Sequence, residues 1–297
     1  LVAYHAGYPP GPVIILTALT FYALSLLSQT MAEFFRRTLW GCALLTLFLS
    51  GAFSKPLAKK STPQVVVSFT VLKDFVQQIA ADKLSVKSLV GPNRDPHTFE
   101  PSPQDMITLL NADLIIINGM HLENHWLPEF LKDKPEVNPV IIASHTSTPR
   151  FFTEGLQKIP DPHAWHNVAY AKRYVRVITE ALCRKWPKHS KEFKEREAAY
   201  QQKLDTLEVW IKAHILAIDS SDRYAITTHD GFGYFQDAYD FHFLTPLGPS
   251  TEAEPTPQDL ARIIKVAKEK NVRGIFFENM VSPHIINMLS KEIGLKI

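Results

Sequence analysis

Three histidines in this chain stand in settings that suit metal chemistry. His97 and His163 each follow Asp-Pro, in "NRDPHTFEPSPQD" (93–105) and "IPDPHAWHNVAYAKRYV" (159–175), and His229 closes an apolar run in "ITTHDGFGYF" (226–235). Proline sets its own φ and biases the residue before it, so a histidine after Asp-Pro rides on a stiff turn and loses little entropy when it takes a ligand. One such phrase alone reads as a turn with an incidental imidazole. Three histidines just past strand or loop ends, where an open α/β sheet exposes its crevice, point to a common metal site. Neutral imidazoles suit zinc, and with other ligands iron, manganese or copper. A fourth position left to water would give catalysis. A fourth position closed by a carboxylate would give binding without reaction.

The other nine of the twelve histidines carry less. His121 and His125 flank Glu123 in "GMHLENHW", and an i,i+4 pair on a helix can hold zinc, but the neighbouring Asn124 and Trp126 read as a cap and as packing. His5 lies in the leader, and His189 and His214 in a helical region. His145, His166, His242 and His284 have no supporting context.

The elements that must position the triad alternate. "QVVVSFT" (64–70), "SVKSLV" (85–90), "DLIIIN" (113–118) and "NPVIIAS" (138–144) read as strands, with a helix over 71–81 and another starting at Ser102, where a cap residue precedes proline. Strands alternating with helices imply parallel βαβ units, an α/β fold. From Val168 to about Ile218 the sequence contains no glycine and only Pro187. It reads as a long amphipathic helical region broken near that proline, with Tyr200, Leu204, Leu207 and Ile211 on its apolar face. Alternation then resumes with strands at 223–228, 241–245 and 272–279, and a last helix capped at Ser282 and Pro283. "EPSPQD" (100–105) and "EPTPQD" (254–259) differ by one residue, which suggests two lobes of related design.

Net charge is +2, against a nucleic-acid surface held by bulk electrostatics. Two cysteines, Cys42 and Cys183, cannot build a thiolate cluster; Cys183 reads as core. Residues 31–54 read as a secretory signal: basic at Arg36 and Arg37, apolar from Leu39 to Leu49, with Ala52 and Ser54 at a cleavage point. Cys42 lies too early in the apolar run to be a lipid-attachment site. Residues 1–30 hold no Lys, Arg, Asp or Glu and read as the end of a membrane-spanning helix; Met31 is the expected true start, and the preceding stretch resembles the C-terminal end of a metal-transporter permease. The chain ends at "GLKI", where a two-lobed α/β protein would continue into another strand, so the C-terminal lobe is read as incomplete.

"DPHTFEPSPQD", "NGMHLENHW", "DPHAWHN", "TTHDGFGYF", "AEPTPQDL" and "FFENMVSP", in order over residues 63 to 297, resemble the metal-binding solute receptors of ABC importers for zinc, manganese or iron. The resemblance implies two α/β lobes joined by one long backbone helix, with the ion between them. It assigns 55–178 to the N-terminal lobe with His97 and His163, 179–217 to the connecting helix, and 218–297 to the C-terminal lobe with His229. It implies a fourth ligand, an aspartate, beyond Ile297. Segment 146–160 lacks the histidine-rich loop of many zinc receptors, while His229 stands where many manganese receptors have glutamate; three imidazoles favour zinc, with manganese and iron open.

The function this implies is an extracytoplasmic receptor that captures a divalent transition metal and delivers it, without chemistry, to a membrane permease powered by a separate ATPase. The implied lobe movement is modest and a monomer is expected. The rivals are a zinc metallohydrolase, needing Asp230 or Glu254 as base, and a surface adhesin.

Overall fold

In the computed structural model the described residues are 62–135, 137, 139–142, 148–154, 157–248, 251, 254–280 and 282–295. The apolar segment 1–30, the signal at 31–54 and His145 lie outside them.

The first sheet forms where the β-branched runs are. Strand β1 (Gln64–Val67) is central, flanked by β2 (Ser85–Ser88) and β3 (Leu114–Ile117), with the short β4 (Val140–Ile141) outside β3. All pairings are parallel, with Val65 opposite both Val86 and Leu114. Both faces of β1 are covered: Val65, Val66 and Val67 are fully buried, as an uninterrupted valine run requires. Helix α1 (Thr70–Ala80) buries Leu72, Phe75, Val76 and Ile79, a stripe at helical spacing, against that sheet. Helix α2 (Pro103–Leu110) starts as expected, with proline in its first turn. Ser102 Oγ accepts the Asp105 N–H, and the Asp105 carboxylate accepts the Ser102 N–H in return, a reciprocal cap. Helix α3 (Leu127–Asp133) follows.

The segment at 151–160 holds no parallel strand. Phe151–Glu154 (β5) and Gln157–Pro160 (β6) pair antiparallel as a separate hairpin that the alternation pattern does not predict. His163 therefore follows a hairpin strand and not a strand of the parallel sheet, so the three histidines do not occupy equivalent sheet positions.

Helix α4 (Val168–Lys185) is capped by the Asn167 side chain, which accepts the Ala169 N–H. Its chain turns at Pro187–His189 into α5 (Ser190–Leu216), a 27-residue helix. The two run antiparallel: Lys172 meets Asp205 and Gln201, while Cys183 meets Ser190. Along α5, Leu204 is buried but Leu207 is 43% exposed, as are Val209, Trp210 and Leu216 more fully. The apolar stripe expected on this helix is therefore narrower than its sequence suggests.

After α5 a second parallel sheet forms, with β7 (Tyr224–Ile226) between β8 (His242–Leu244) and β9 (Gly274–Ile275). β9 covers only part of the apolar run at 272–279. Helix α6 (Gly233–Tyr239) sits between β7 and β8 in sequence, yet Tyr234 and Tyr239 join the first core. Helices α7 (Pro257–Glu269) and α8 (His284–Ile293) close a smaller core of Ile226, Ile263, Val272, Ile275, Ile286 and Leu289. Thr256 and Asp259 repeat the reciprocal cap of α2. At α8 the capping position is Pro283, so Ser282 stands one residue further out than the sequence suggests. Among the described residues no helix is long and apolar enough to cross a membrane.

Candidate metal centre

His97, His163 and His229 meet. Nε2 of His163 lies 3.0 Å from Nε2 of His97 and 3.2 Å from Nε2 of His229. All three residues are buried, at 9%, 2% and 3% exposure. A tetrahedral ion with Zn–N bonds of about 2.0–2.1 Å sets its ligand nitrogens about 3.3 Å apart, close to the observed separations.

Each imidazole is held by its own segment. Asp95 Oδ1 accepts the His97 N–H at 2.9 Å, and Asp161 Oδ1 accepts the His163 N–H at 3.0 Å. In each Asp-Pro-His phrase the aspartate thus closes a turn onto the histidine two residues on, adding to the stiffness that proline supplies. Asn118, at the end of β3, donates to the Pro162 carbonyl at 3.0 Å and accepts from Tyr174 at 2.9 Å, so the parallel sheet anchors the His163 turn from below. His229 follows β7. Its backbone N–H, the Thr228 N–H and the Thr227 hydroxyl all donate to Glu278 Oε1.

The far sides of two rings face carboxylates. His163 Nδ1 lies 2.8 Å from Asp161 Oδ1, and His229 Nδ1 lies 2.6 Å from Glu278 Oε2. An ionised carboxylate beside Nδ1 favours a proton there, which would turn the Nε2 lone pair toward the other histidines. Two lone pairs 3.2 Å apart repel unless an electrophile stands between them. Burial, with the neighbouring His229, lowers His97 to about 4; burial holds His163 well below the usual imidazole range. His97 and His163 are therefore neutral imidazoles at neutral pH, each with one nitrogen lone pair to offer. Burial pushes Asp161 up to about 7 against the opposing pull of the His163 N–H and Arg150. Burial also raises Glu278, but its bonds from His229 and Thr227 outweigh this and leave it below the ordinary carboxylate value.

The triad lies on a cavity of about 490 Å³ lined also by Phe69, Trp165, Phe232, Phe277 and Glu278. His166 lines it too, its ring tilted against Phe232 with centroids 4.5 Å apart; its place beside His163 on the Ala164–His166 turn was not signalled by its sequence context. Gly231 keeps the centre open: a Cβ there would stand 2.7 Å from His229 Nε2 and 3.3 Å from His163 Cδ2.

The other candidates sit elsewhere. His121 and His125 are not on a helix, and between them Glu123 is buried with both oxygens spent on the Asn118 and Gly119 N–H groups. His284 is exposed at the start of α8. Asp230, which a hydrolytic reading would use as base, lines a different cavity with Phe243, Gly248 and Arg262.

A buried cluster of three imidazoles that could hold a small cation thus lies beside two parallel α/β sheets and a long helix. Residues 65–297 match the model of ZnuA, the zinc-uptake complex component A, periplasmic. The chain belongs to this family of extracytoplasmic metal receptors. It is 32% identical over 242 residues to the zinc-binding protein TroA of Treponema pallidum, which covers 81% of this chain and 78% of that one. It is 30% identical over 266 residues to the manganese ABC transporter substrate-binding lipoprotein PsaA of Streptococcus pneumoniae, covering 86% of each. The solved structure of the periplasmic zinc-binding protein TroA superposes with a TM-score of 0.72 at 30% identity, over 78% of this chain and 84% of that one. The matching fold is the two-lobed α/β architecture with a long helix. Relatives' names carry zinc, manganese and iron.

Proposed function

We propose that His97, His163 and His229 are the protein's ligands for a divalent transition-metal cargo, with zinc favoured over manganese and iron. The family is one of solute receptors of ABC importers and not of enzymes, and the chain is such a receptor outside the cytoplasm. The cargo's identity rests on the donor set. Three neutral nitrogen donors are soft enough for zinc, whereas a manganese site prefers more oxygen. The observation that carries the reading is the convergence of three buried Nε2 atoms, two of them on rings whose opposite nitrogen faces a carboxylate.

The function follows from binding alone. The receptor would capture the ion, dock on a permease driven by a separate ATPase, and release it unchanged. Working as a monomer, it would use residues 55–178 as one lobe, 179–217 as the connecting helix and 218–297 as the other lobe. Residues 31–54 would direct secretion.

Metal titration followed by thermal unfolding tests the reading. A ligand held at about 1,000 times its Kd stabilises the native state by about 4.1 kcal/mol. Zinc should raise Tm in the wild type and not in His163→Ala, while the exposed control His284→Ala keeps the full rise. No shift with zinc, manganese or iron would overturn the proposal.

A further inference from the structure

The two Asp-Pro-His aspartates do more than close their turns. Each spends one oxygen on its own histidine and turns the other toward a residue from a distant stretch of chain. Asp95 Oδ1 takes the His97 N–H, while Oδ2 accepts the Thr251 hydroxyl, 156 residues away. Asp161 Oδ1 serves His163, while Oδ2 faces Arg150 Nε at 3.5 Å. Arg150 carries the link onward. Its Nη1 donates to the Gly233 carbonyl at 2.9 Å and pairs with Asp237, both on α6. Its backbone N–H donates to the Tyr234 hydroxyl, and that hydroxyl donates to the Asp161 carbonyl.

The arrangement is built closely. A Cβ at Gly233 would fall 2.6 Å from Arg150 Nε and 2.7 Å from its Cζ, so glycine is what lets the guanidinium lie on the start of α6. Arg150 Nε and Asp161 Oδ2 are both shut off from solvent, and neither has a hydrogen-bond partner. They face each other as an ion pair at 3.5 Å, so each is the other's charge partner in this buried spot.

We propose that Arg150 and Thr251 are positioning residues for the metal centre: acting through Asp161 and Asp95, they tie the orientation of His163 and His97 to the packing of the chain that follows α5, so that the cation is retained only while those contacts hold. The inference rests on the triad being the cargo site. His229 arrives from after α5, His97 and His163 from before it, and the covalent path between them is the long helix. Contacts that span the cleft and end on the ligand-bearing turns couple the two sides to the ion, and losing them speeds release more than it slows capture.

Zinc release into excess chelator, measured by stopped flow beside zinc association, tests this on the full chain. Arg150→Met should release zinc ten to a hundred times faster than wild type, the range typical of lost outer partners of metal ligands, with association within threefold. Asp237→Asn, at an exposed carboxylate, should release zinc three to ten times faster, and the double variant no faster than Arg150→Met alone. Thr251→Val should also speed release threefold or more. Apo Tm should change little in Asp237→Asn and Thr251→Val. If Arg150→Met does not fold, Asp237→Asn and Thr251→Val decide. Release rates within twofold of wild type in those two, or additive effects in the double variant, overturn the coupling. A wild-type protein that binds no zinc overturns the metal reading itself and the coupling with it.

Discussion

Replacing Glu278 with glutamine changes one atom of the carboxyl group and removes one charge. Glu278 Oε1 takes three donors, from the Thr227 hydroxyl and the Thr228 and His229 N–H groups, and Oε2 lies 2.6 Å from His229 Nδ1. Glutamine can keep its carbonyl toward the three donors, which turns its NH2 group onto His229 Nδ1. The ring must then carry its proton on Nε2, and the lone pair that faces the metal centre is lost. Flipping the amide restores Nδ1–H but sets NH2 against two backbone N–H groups. Either arrangement leaves a mismatch worth about 1–3 kcal/mol. With each factor of ten equal to about 1.4 kcal/mol, zinc affinity should fall about 10–100-fold. Competition with a chelator at pH 7.5 measures the affinity, and nitrogen NMR of the apo protein reports the His229 tautomer. An affinity within threefold of wild type, with His229 still protonated at Nδ1, would refute the reasoning.

Gly231→Ala should lower zinc affinity at least tenfold, because the new Cβ would stand 2.7 Å from His229 Nε2; chelator competition checks it, and unchanged affinity would show that the ring has room to retreat. The metal-free protein should lose stability as pH falls from 6.5 to 4. His97 has a folded value of about 4, below its unfolded 6.5, so the unfolded chain binds the extra proton in that window. This stability is present above pH 6.5 and lost toward 4, on the order of 3 kcal/mol for this residue. His163 and His166 act in the same direction. Asp161, raised to about 7, opposes them by gaining stability as pH falls through 7, as do Glu123 and Asp230, which burial also raises; the histidines are expected to dominate because protonating them brings several positive charges into one buried cluster. Urea midpoints across pH 4–7 measure the balance, and a midpoint that stays flat or rises on acidification would contradict it.

Much of the centre was legible in sequence because its parts are local. Asp-Pro-His writes a turn and a buried imidazole within three residues, and the β-branched runs at 64–70 and 113–118 mark the buried strands beneath. The capping boxes at Ser102 and Thr256 are equally local, and both formed. What escaped depends on pairings far apart in the chain. Glu278 reaches His229 across 49 residues, and its phrase "FFEN" carries no sign of it. The hairpin at Phe151–Pro160 escaped because its strands are short and do not alternate in hydropathy, so Arg150 had no element to belong to. His166 looked incidental because its ring contact with Phe232 is 66 residues distant. Helical spacing puts Leu207 on the apolar face but cannot tell which parts of a long helix are left uncovered.

Diffraction from zinc-loaded crystals at the zinc absorption edge addresses the central claim most directly. The account predicts one anomalous peak about 2.0–2.1 Å from each of the Nε2 atoms of His97, His163 and His229. A peak elsewhere in the molecule, or one that leaves any of these three nitrogens outside bonding distance, would contradict it.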